Sequence, residues 1–217
     1  MRVLVIVAHA DDETLGVGGT LHLAARRGDY INIVVATEDY GPKRDLDTAL
    51  VKLGIKDGAV HRLGLPSVGL SQIPTEKLNG EIANIVRIVR PAVVYTHSAS
   101  DLHTDHKAVA HATLVACRPV CEGAPLRLLA MDTPSSTEWA TGSAIPGAFS
   151  PNVFVELTQD ALNAKLNAMD VYASEMRPWP HPRSREALTA RAMYWGQWAS
   201  CRFAEPFALL REIQRVS

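Results

Sequence analysis

A charge excess of either sign, abundant cysteine and long apolar runs are all missing from this chain. Lys and Arg together number 22 and Asp and Glu 23, which leaves a formal net charge of -1 at pH 7. A nucleic-acid-binding protein is expected to show a basic excess, so this composition argues against that class of partner. Apolar residues make up 47% and charged residues 21% of the sequence, the balance of an ordinary globular protein.

The cysteines and apolar runs that are present exclude two further classes. Three cysteines are too few for a disulfide scaffold, and we interpret Cys117 and Cys121 as packing residues because no second Cys/His pair at metal spacing accompanies them. The run Val3 to Ala8 is too short for a signal-peptide core, and no other run approaches the roughly 20 residues of a membrane span. We therefore expect a cytoplasmic protein without a membrane partner.

Short aliphatic runs alternate with segments of helical periodicity in the first half of the chain. The strand candidates are Val3–Val7, Ile31–Ala36, Val60–Leu63 and Ala92–Thr96, and the helix candidates are Gly19–Arg27, Arg44–Leu53 and Glu76–Val89. This alternation predicts an α/β fold, Rossmann-like, with a mostly parallel sheet between helices. A length of 217 residues suits one domain, so we expect residues 1–217 to form a single one.

The second half is less regular. Its strand candidates are Leu126–Met131 and Val153–Leu157, and a stretch rich in Ser, Thr, Gly and Pro between them predicts a long surface loop. Helical spacing covers Gln159–Tyr172 and Ser184–Cys201. Between these two helix candidates lies the segment Pro178 to Pro182, whose three prolines predict an extended and stiff link.

Two clusters of histidines and carboxylates directly follow predicted strands. The first strand ends in Ala8 to Glu13, with the letters AHADDE, and the Ala92–Thr96 strand ends in His97 to His106, with the letters HSASDLHTDH. Ligands of open α/β sheets bind beyond the carboxyl ends of the strands. If both strands are central, the two clusters face each other across one crevice.

Three residues of these clusters have the chemistry of a metal site. His9 and Asp12 are three residues apart, so one tight turn can aim both at one point, and His106 completes a set of two imidazoles and one carboxylate. This set is common for zinc, with Fe(II) or another divalent metal as alternatives. Asp11, next to a ligand but unused by the metal, is placed to take a proton from activated water.

His103 is the remaining candidate for catalysis in the second cluster. It precedes His106 by three residues and could donate a hydrogen bond to the oxyanion of a tetrahedral intermediate. Either Asp101 or Asp105 could hold its imidazole in the charged form or the correct tautomer, and spacing alone does not choose between them. We include Asp105 with Asp11 and His103 among the catalytic candidates.

Substrate-binding candidates follow the second strand or lie in loops. Glu38 and Arg44 belong to the same sheet edge as the metal cluster, where Arg44 could bind a sugar hydroxyl, a phosphate or a carboxylate, or could be a solvated residue at a helix start. Trp139 and Trp179 lie in predicted loops and are candidates for stacking on a sugar ring. For His181 we favour a surface or packing role.

The motifs resemble those of the PIG-L/LmbE-like deacetylases. The family signature Ala-His-Pro-Asp-Asp-Glu is matched by Ala8 to Glu13, and His-x-Asp-His is matched by His103 to His106. The resemblance continues over nearly the whole chain, in Gly18 to Thr20, Thr37-Glu38, Arg44, Leu53-Gly54 and Ala204 to Phe207. It implies a Rossmann-like fold, zinc on His9, Asp12 and His106, a base at Asp11, and hydrolysis of N-acetyl groups, often on glucosamine-containing substrates.

Two positions depart from the family pattern. Ala10 replaces the usual proline, which would stiffen the turn before Asp11, and the segment Pro66 to Leu70 lacks the acidic residue that many relatives carry after the proline. The first departure removes no ligand. The second bears on the identity of the substrate.

Other functions fit these residues less well than hydrolysis of a small-molecule N-acetylated substrate. A nucleotide-binding module is disfavoured because Gly16 to Gly19 fails the dinucleotide fingerprint, with Leu21 at the third glycine position. A metal-retaining module without activity would not need Asp11 and His103. A metallo-phosphoesterase commonly uses two metals, and ligands for one are found here. Hydrolysis of another small-molecule amide stays open, as does homo-oligomerisation.

Overall fold

Among the described residues, seven strands form one mixed sheet in the computed structural model of the chain. The structure describes residues 1–38, 44–56, 58–140 and 147–216, with Arg44 described through its backbone alone. The strands are β1 (Arg2–Val7), β2 (Tyr30–Thr37), β3 (Gly58–Leu65), β4 (Val93–His97), β5 (Arg127–Met131), β6 (Val153–Glu156) and β7 (Ala204–Glu212). Their order is β3-β2-β1-β4-β5-β7-β6. The α/β prediction is confirmed.

Neighbouring strands from β3 to β5 run parallel, and β7 runs antiparallel to both β5 and β6. The helices are α1 (Asp12–Arg26), α2 (Arg44–Lys52), α3 (Thr75–Val89), α4 (Thr104–Ala116), α5 (Gln159–Met169) and α6 (Arg185–Trp198). None of the helices in the described parts of the chain is long and apolar enough to cross a membrane.

The helices cover both faces of the sheet and so create two apolar cores. Val3, Val5 and Val7 pack into the core shared with α1, α2 and α5. Leu4 and Ile6 point to the opposite core, which contains side chains of α3 and α4. Because successive side chains of a strand point to opposite faces, a strand buried on both sides is a continuous apolar run in sequence, as β1 is.

The order of the strands reverses between β1 and β4, and this reversal positions the site. From β1 the chain proceeds outward to β2 and β3, and then returns through α3 to β4 on the other side of β1. Ile6 pairs with Thr96, so His9 and His97 leave the sheet at the same edge. In doubly wound folds such a reversal opens a crevice at the carboxyl ends of the two strands.

Two elements differ from the sequence expectation. The helix predicted from Gly19 begins at Asp12. Its first turns contain glycine, a residue that disfavours helices, because the helix packs closely against β5: a Cβ at Gly16 would meet Met131 Sδ at 2.3 Å. Strand β7 was not predicted, since Pro206 interrupts its apolar pattern. The β5 ladder ends opposite Phe207, so the missing N–H of Pro206 falls just outside that pairing.

Candidate metal centre and active site

A cavity of about 310 Å³ opens at the carboxyl ends of β1 and β4. Five residues predicted from the sequence line it: His9, Asp11, Glu38, His103 and His106. The loops after β3 and β5 contribute Val68 and Ser135 to its wall, and the segment between α5 and α6 contributes Glu175 and Arg183. The two clusters therefore meet at one cavity, as their positions after β1 and β4 predict.

His9, Asp12 and His106 converge below this cavity. Their ligand atoms lie within 4.8 Å of one another, and Asp12 Oδ2 lies 3.3 Å from His9 Nδ1 and 3.4 Å from His106 Nε2. Asp12 Oδ1 is buried and has no hydrogen-bond partner among the described residues. An unpartnered buried carboxylate oxygen is costly, and a cation is the partner that it lacks. The residues present therefore fit a divalent metal ion.

The electrostatics of the three residues also favour a positive charge. Burial lowers the pKa of His106, but the carboxylates of Asp12 and Asp101 outweigh burial and raise this pKa to about 10. Burial raises the pKa of Asp12, yet His106 and His97 outweigh it and hold that pKa well below its usual range. The Asp12 carboxylate is therefore ionised, and a neighbouring cation stabilises it.

Asp101 supports His106 from behind. Its Oδ1 lies 3.1 Å from His106 Nδ1, and the carboxylate accepts hydrogen bonds from Ser136 Oγ, from Thr137 Oγ1 at 2.7 Å and from the His103 backbone amide at 2.8 Å. Burial opposes ionisation, but these contacts outweigh it and lower the pKa of Asp101 to about 2. A carboxylate behind a histidine fixes the orientation of the imidazole as a metal ligand.

His97 belongs to the site, although the sequence pattern predicts no role for it. It is fully buried, and its ring stacks on that of His106 with the centroids 3.9 Å apart. His97 Nε2 accepts a hydrogen bond from the Ala8 backbone amide at 3.0 Å. The ring proton of the neutral imidazole therefore lies on Nδ1, which is 3.2 Å from Thr133 Oγ1. Burial and His106 lower its pKa to about 4. The ring is therefore neutral, and it packs behind the ligand set.

His103 is held as a neutral imidazole at the start of α4. Its Nδ1 accepts the backbone amide of Asp105 at 3.1 Å, so the ring proton resides on Nε2. Burial, His106 and His9 lower the pKa of His103. The sequence predicts that the carboxylate of Asp101 or Asp105 orients this ring. Among the described residues neither carboxylate hydrogen-bonds it, and the backbone of Asp105 fixes the tautomer instead.

The Asp105 carboxylate binds a different segment. It accepts hydrogen bonds from the backbone amides of Val68 at 2.6 Å and Leu70 at 3.0 Å. Its Oδ2 also lies 3.2 Å from His9 Nε2. The loop after β3, residues 66–70, is thereby attached directly to the candidate metal centre through one buried side chain.

Asp11 lies in a strained turn that is fixed by Glu13. Its backbone has φ 127°, unusual for a residue with a side chain, and its amide donates to Glu13 Oε2 at 3.0 Å. Glu13 is fully buried and also accepts the Tyr172 hydroxyl at 2.9 Å. A buried carboxylate therefore holds the Asp11 backbone in this turn, where Ala10 stands in place of the family's proline.

The Asp11 side chain contacts Arg183, a residue that no sequence motif identifies. Arg183 Nη1 donates to Asp11 Oδ2 and to Glu175 Oε2, both at 2.9 Å, and Nε donates to Ser135 Oγ at 2.7 Å. Burial and Asp12 raise the pKa of Asp11 well above its usual range, while Arg183 opposes this shift. Arg183 directly follows the proline-rich segment that contains His181.

The other substrate-binding candidates are less central. Glu38 borders the cavity and is exposed, whereas the side chain of Arg44 lies outside the described residues. Trp139 is 50% and Trp179 63% exposed, and neither lines the cavity. His181 accepts the Arg183 amide at 3.1 Å and lies 6.0 Å from the Trp139 ring, between centroids.

Comparisons with known proteins agree with the geometry. Residues 4–117 match the family PIG-L, described as GlcNAc-PI de-N-acetylase. The uncharacterized deacetylase YaiS of Escherichia coli (strain K12) is 30% identical over 185 residues, which are 79% of this chain and 90% of the relative.

Solved structures share the fold at lower identity. The N,N'-diacetylchitobiose deacetylase of Pyrococcus horikoshii has a TM-score of 0.73 at 19% identity, over 96% of this chain and 83% of its own. The 4-carboxy-2-hydroxymuconate hydratase GalB of Pseudomonas putida has a TM-score of 0.76 at 18% identity, over 100% of this chain and 98% of its own. With the family matched over more than half of the sequence, the chain belongs to the PIG-L family of deacetylases.

Proposed function

We propose that the chain is a zinc-dependent N-deacetylase that hydrolyses an N-acetyl amide on an amino-sugar-containing small molecule. The observation that carries the proposal is the buried set of His9, Asp12 and His106, with its unpartnered carboxylate oxygen, directly beside Asp11 at the base of the cavity. Membership in the PIG-L family and likeness to a diacetylchitobiose deacetylase support an amino-sugar substrate. Fe(II) or another divalent ion would suit the same ligands.

His9, Asp12 and His106 would hold the ion, which when bound supplies a Lewis acid for the amide carbonyl and lowers the pKa of water. Asp11 would act as the general base. Its carboxylate borders the cavity, and burial raises its pKa well above the usual carboxyl value, which makes it a stronger proton acceptor. It would accept the proton of the attacking water as the C–O bond forms. It would then deliver that proton to the nitrogen as the C–N bond breaks, giving acetate and a free amine.

His103 would stabilise the negative charge that develops on the carbonyl oxygen. Its Nδ1 is occupied by the Asp105 amide, so Nε2 carries a proton that it can donate. Its lowered pKa means that it acts as a neutral donor. A preorganised donor of this kind strengthens as charge builds up on the oxygen, which is the requirement for lowering the barrier.

Arg183 would keep the base aimed into the cavity. It joins Asp11 to Ser135 and Glu175, from two different loops. Glu38, at the exposed rim, is the proposed contact for sugar hydroxyls, and Arg44 stays a candidate on sequence grounds. We further propose that residues 1–217 act as one domain, in the cytoplasm, where Cys117, Cys121 and Cys201 remain unpaired.

Release of amine from N-acetylated amino sugars tests the proposal. Purified protein, stripped with chelator and reloaded with Zn²⁺ or with Fe²⁺ under argon, is incubated with N-acetylglucosamine and N,N'-diacetylchitobiose, and primary amine and acetate are both measured. We expect equal amounts of the two products, dependent on the added ion and absent in Asp11→Asn. Because the same fold also serves a hydratase, loss of substrate without amine release would contradict N-deacetylation. Absence of any turnover with every ion would contradict it as well.

A further inference from the structure

Val68 has a backbone conformation that its side chain disfavours. Its φ is 56°, in the left-handed region, where a β-branched residue is a genuine outlier. The adjacent Gly69 would accept such an angle without strain, yet its own φ is -131°. The strained angle therefore falls on the valine, although a glycine stands next to it.

The strained backbone is held in place from the active site. Both the Val68 and Leu70 amides donate to the fully buried Asp105 carboxylate, at 2.6 and 3.0 Å. The same carboxylate lies 3.2 Å from His9 Nε2. Residues in sparsely populated conformations persist where their surroundings over-determine them, and they concentrate at functional sites. Val68 is thus fixed immediately beside a proposed metal ligand.

The exposure of the Val68 side chain indicates what it would contact. It lines the cavity and is 69% exposed, whereas Leu46, another aliphatic side chain of the lining, is 1% exposed. Much of the remaining wall is polar, from His103, Ser135 and Arg183. Val68 therefore offers open apolar surface near His9, where the amide of a substrate must lie for hydrolysis.

We infer that Val68 is a specificity-determining residue whose isopropyl group forms the wall against the N-acyl chain and restricts the enzyme to short acyl groups. This inference rests on the proposed deacetylase function and extends it to the recognition of the acyl group. The segment Pro66 to Leu70 departs from the family pattern, and Val68 is the residue of this segment that has the strained backbone angle.

A series of glucosamine substrates carrying N-acetyl, N-propionyl and N-butyryl groups tests the inference in wild type and Val68→Gly. One methylene in an apolar pocket changes kcat/KM by roughly 10- to 200-fold. We expect the ratio of kcat/KM for acetyl to that for butyryl to be lower in the variant than in wild type by about tenfold or more. Without the isopropyl group the variant loses its contact with the acetyl chain, whereas the longer chains gain room. We expect Tm to be maintained or to rise by about 2–4 °C, since glycine relieves the strained angle.

Ser200→Gly is the matched control. Ser200 also has a positive φ, 53°, but it is exposed in the turn after α6 and does not line the cavity. This variant should keep the wild-type acyl preference while its Tm is likewise maintained or raised.

Three outcomes would overturn the inference. In the first, the ratio of kcat/KM for acetyl to that for butyryl is unchanged in Val68→Gly. If kcat/KM falls equally for every chain length, Val68 contacts another part of the substrate; if it does not fall, Val68 does not contact the substrate. A fall in Tm with unchanged kinetics would give the residue a purely structural role. Both leave deacetylation intact. No amine release by the wild type from any chain length would instead overturn the proposed function, and this inference with it.

Discussion

Asp11 and Asp12 are neighbours with identical side chains and opposite surroundings. Asp12 lies against His9, His97 and His106, which hold its pKa low. Asp11 points toward the cavity, where burial and the Asp12 charge raise its pKa. Two carboxylates whose environments separate their pKa values are suited to different tasks. The contacts of Asp12 with His9 and His106 support it as the ligand, and the position of Asp11 at the cavity supports it as the base.

The two roles can be separated by one substitution at each position. Asp11→Asn keeps size and polarity but cannot accept a proton, so metal should stay bound while kcat falls by about 10² or more. Asp12→Asn removes the anionic ligand and should lose the ion, with partial recovery of activity in excess metal. Mass spectrometry measures the metal content of each variant, and steady-state kinetics measures its kcat. Loss of the ion from Asp11→Asn with retention in Asp12→Asn would reverse the assignment.

Arg183 gives a second prediction for a single residue. Arg183→Met removes the charged hydrogen bonds to Asp11 and Glu175, and we expect kcat to fall by about tenfold or more with metal content unchanged, because the base loses its orientation. Arg183→Lys should restore part of the loss. Arg185→Met is the control, since Arg185 lies in the same region but pairs with Asp170 at the surface. Equal kcat values in the two methionine variants would remove Arg183 from the active site.

Sequence spacing predicted the meeting of His9, Asp12 and His106 because each follows a buried strand end. It could not identify Arg183, since no local pattern distinguishes an arginine that reaches Asp11 from a part of the chain 172 positions away. Nor could it choose the partner of His103. That choice depends on which way a turn presents the backbone amide of Asp105, a detail that residue types do not encode.

At the level of elements, strands buried on both faces were the easiest to predict. β1 and β4 are short, apolar and followed by polar clusters, so both their position and their meaning could be inferred. β7 was missed because its pattern changes from buried at Ala204–Phe207 to mostly half-exposed beyond, and because it contains Pro206. Its pairing with β5 and β6 depends on chain segments far away in sequence, which no local propensity reports.

Tyr95 in β4 links this packing to pH. Its ring lies 4.9 Å from that of Phe207 in β7, and burial raises its pKa to about 12. Because the folded pKa is higher than the unfolded value, its contribution to stability is complete below pH 10 and is lost as pH rises toward 12. We expect Tyr95→Phe to gain about 1 kcal/mol relative to wild type between pH 7 and pH 11. Urea unfolding at both pH values measures it.

The control for that experiment is Tyr30→Phe, at the exposed start of β2. It should follow the wild-type change in unfolding free energy between the two pH values. If Tyr95→Phe follows the same course as this control, ionisation of the buried phenol does not contribute to alkaline unfolding.

On the scale of the whole molecule, the candidate centre joins both halves of the sheet. His9 and Asp12 follow β1, which leads outward to β2 and β3, whereas His106 lies in α4 after β4. Asp105 attaches the loop after β3, and Asp101 attaches the turn after β5 through Ser136 and Thr137. An ion bound here would therefore connect segments that are brought together only by the complete fold.

Metal binding should consequently stabilise the whole protein. An ion that binds the folded but not the unfolded chain adds about 2.7 kcal/mol when its free concentration is 100 times Kd. For a chain of this size that corresponds to a rise of about 5–10 °C in Tm. We expect about one divalent ion per chain in metal analysis, and a fall in Tm of this size when chelator removes it.

In His106→Ala the ion should be lost, and chelator should then leave Tm unchanged. His111→Ala is the matched control, because His111 lies in the same helix but is exposed and does not line the cavity; it should respond to chelator as the wild type does. Comparing each variant with and without chelator separates the metal from the packing cost of the substitution itself. An equal chelator response in His106→Ala and His111→Ala would place the stabilising ion away from His9, Asp12 and His106.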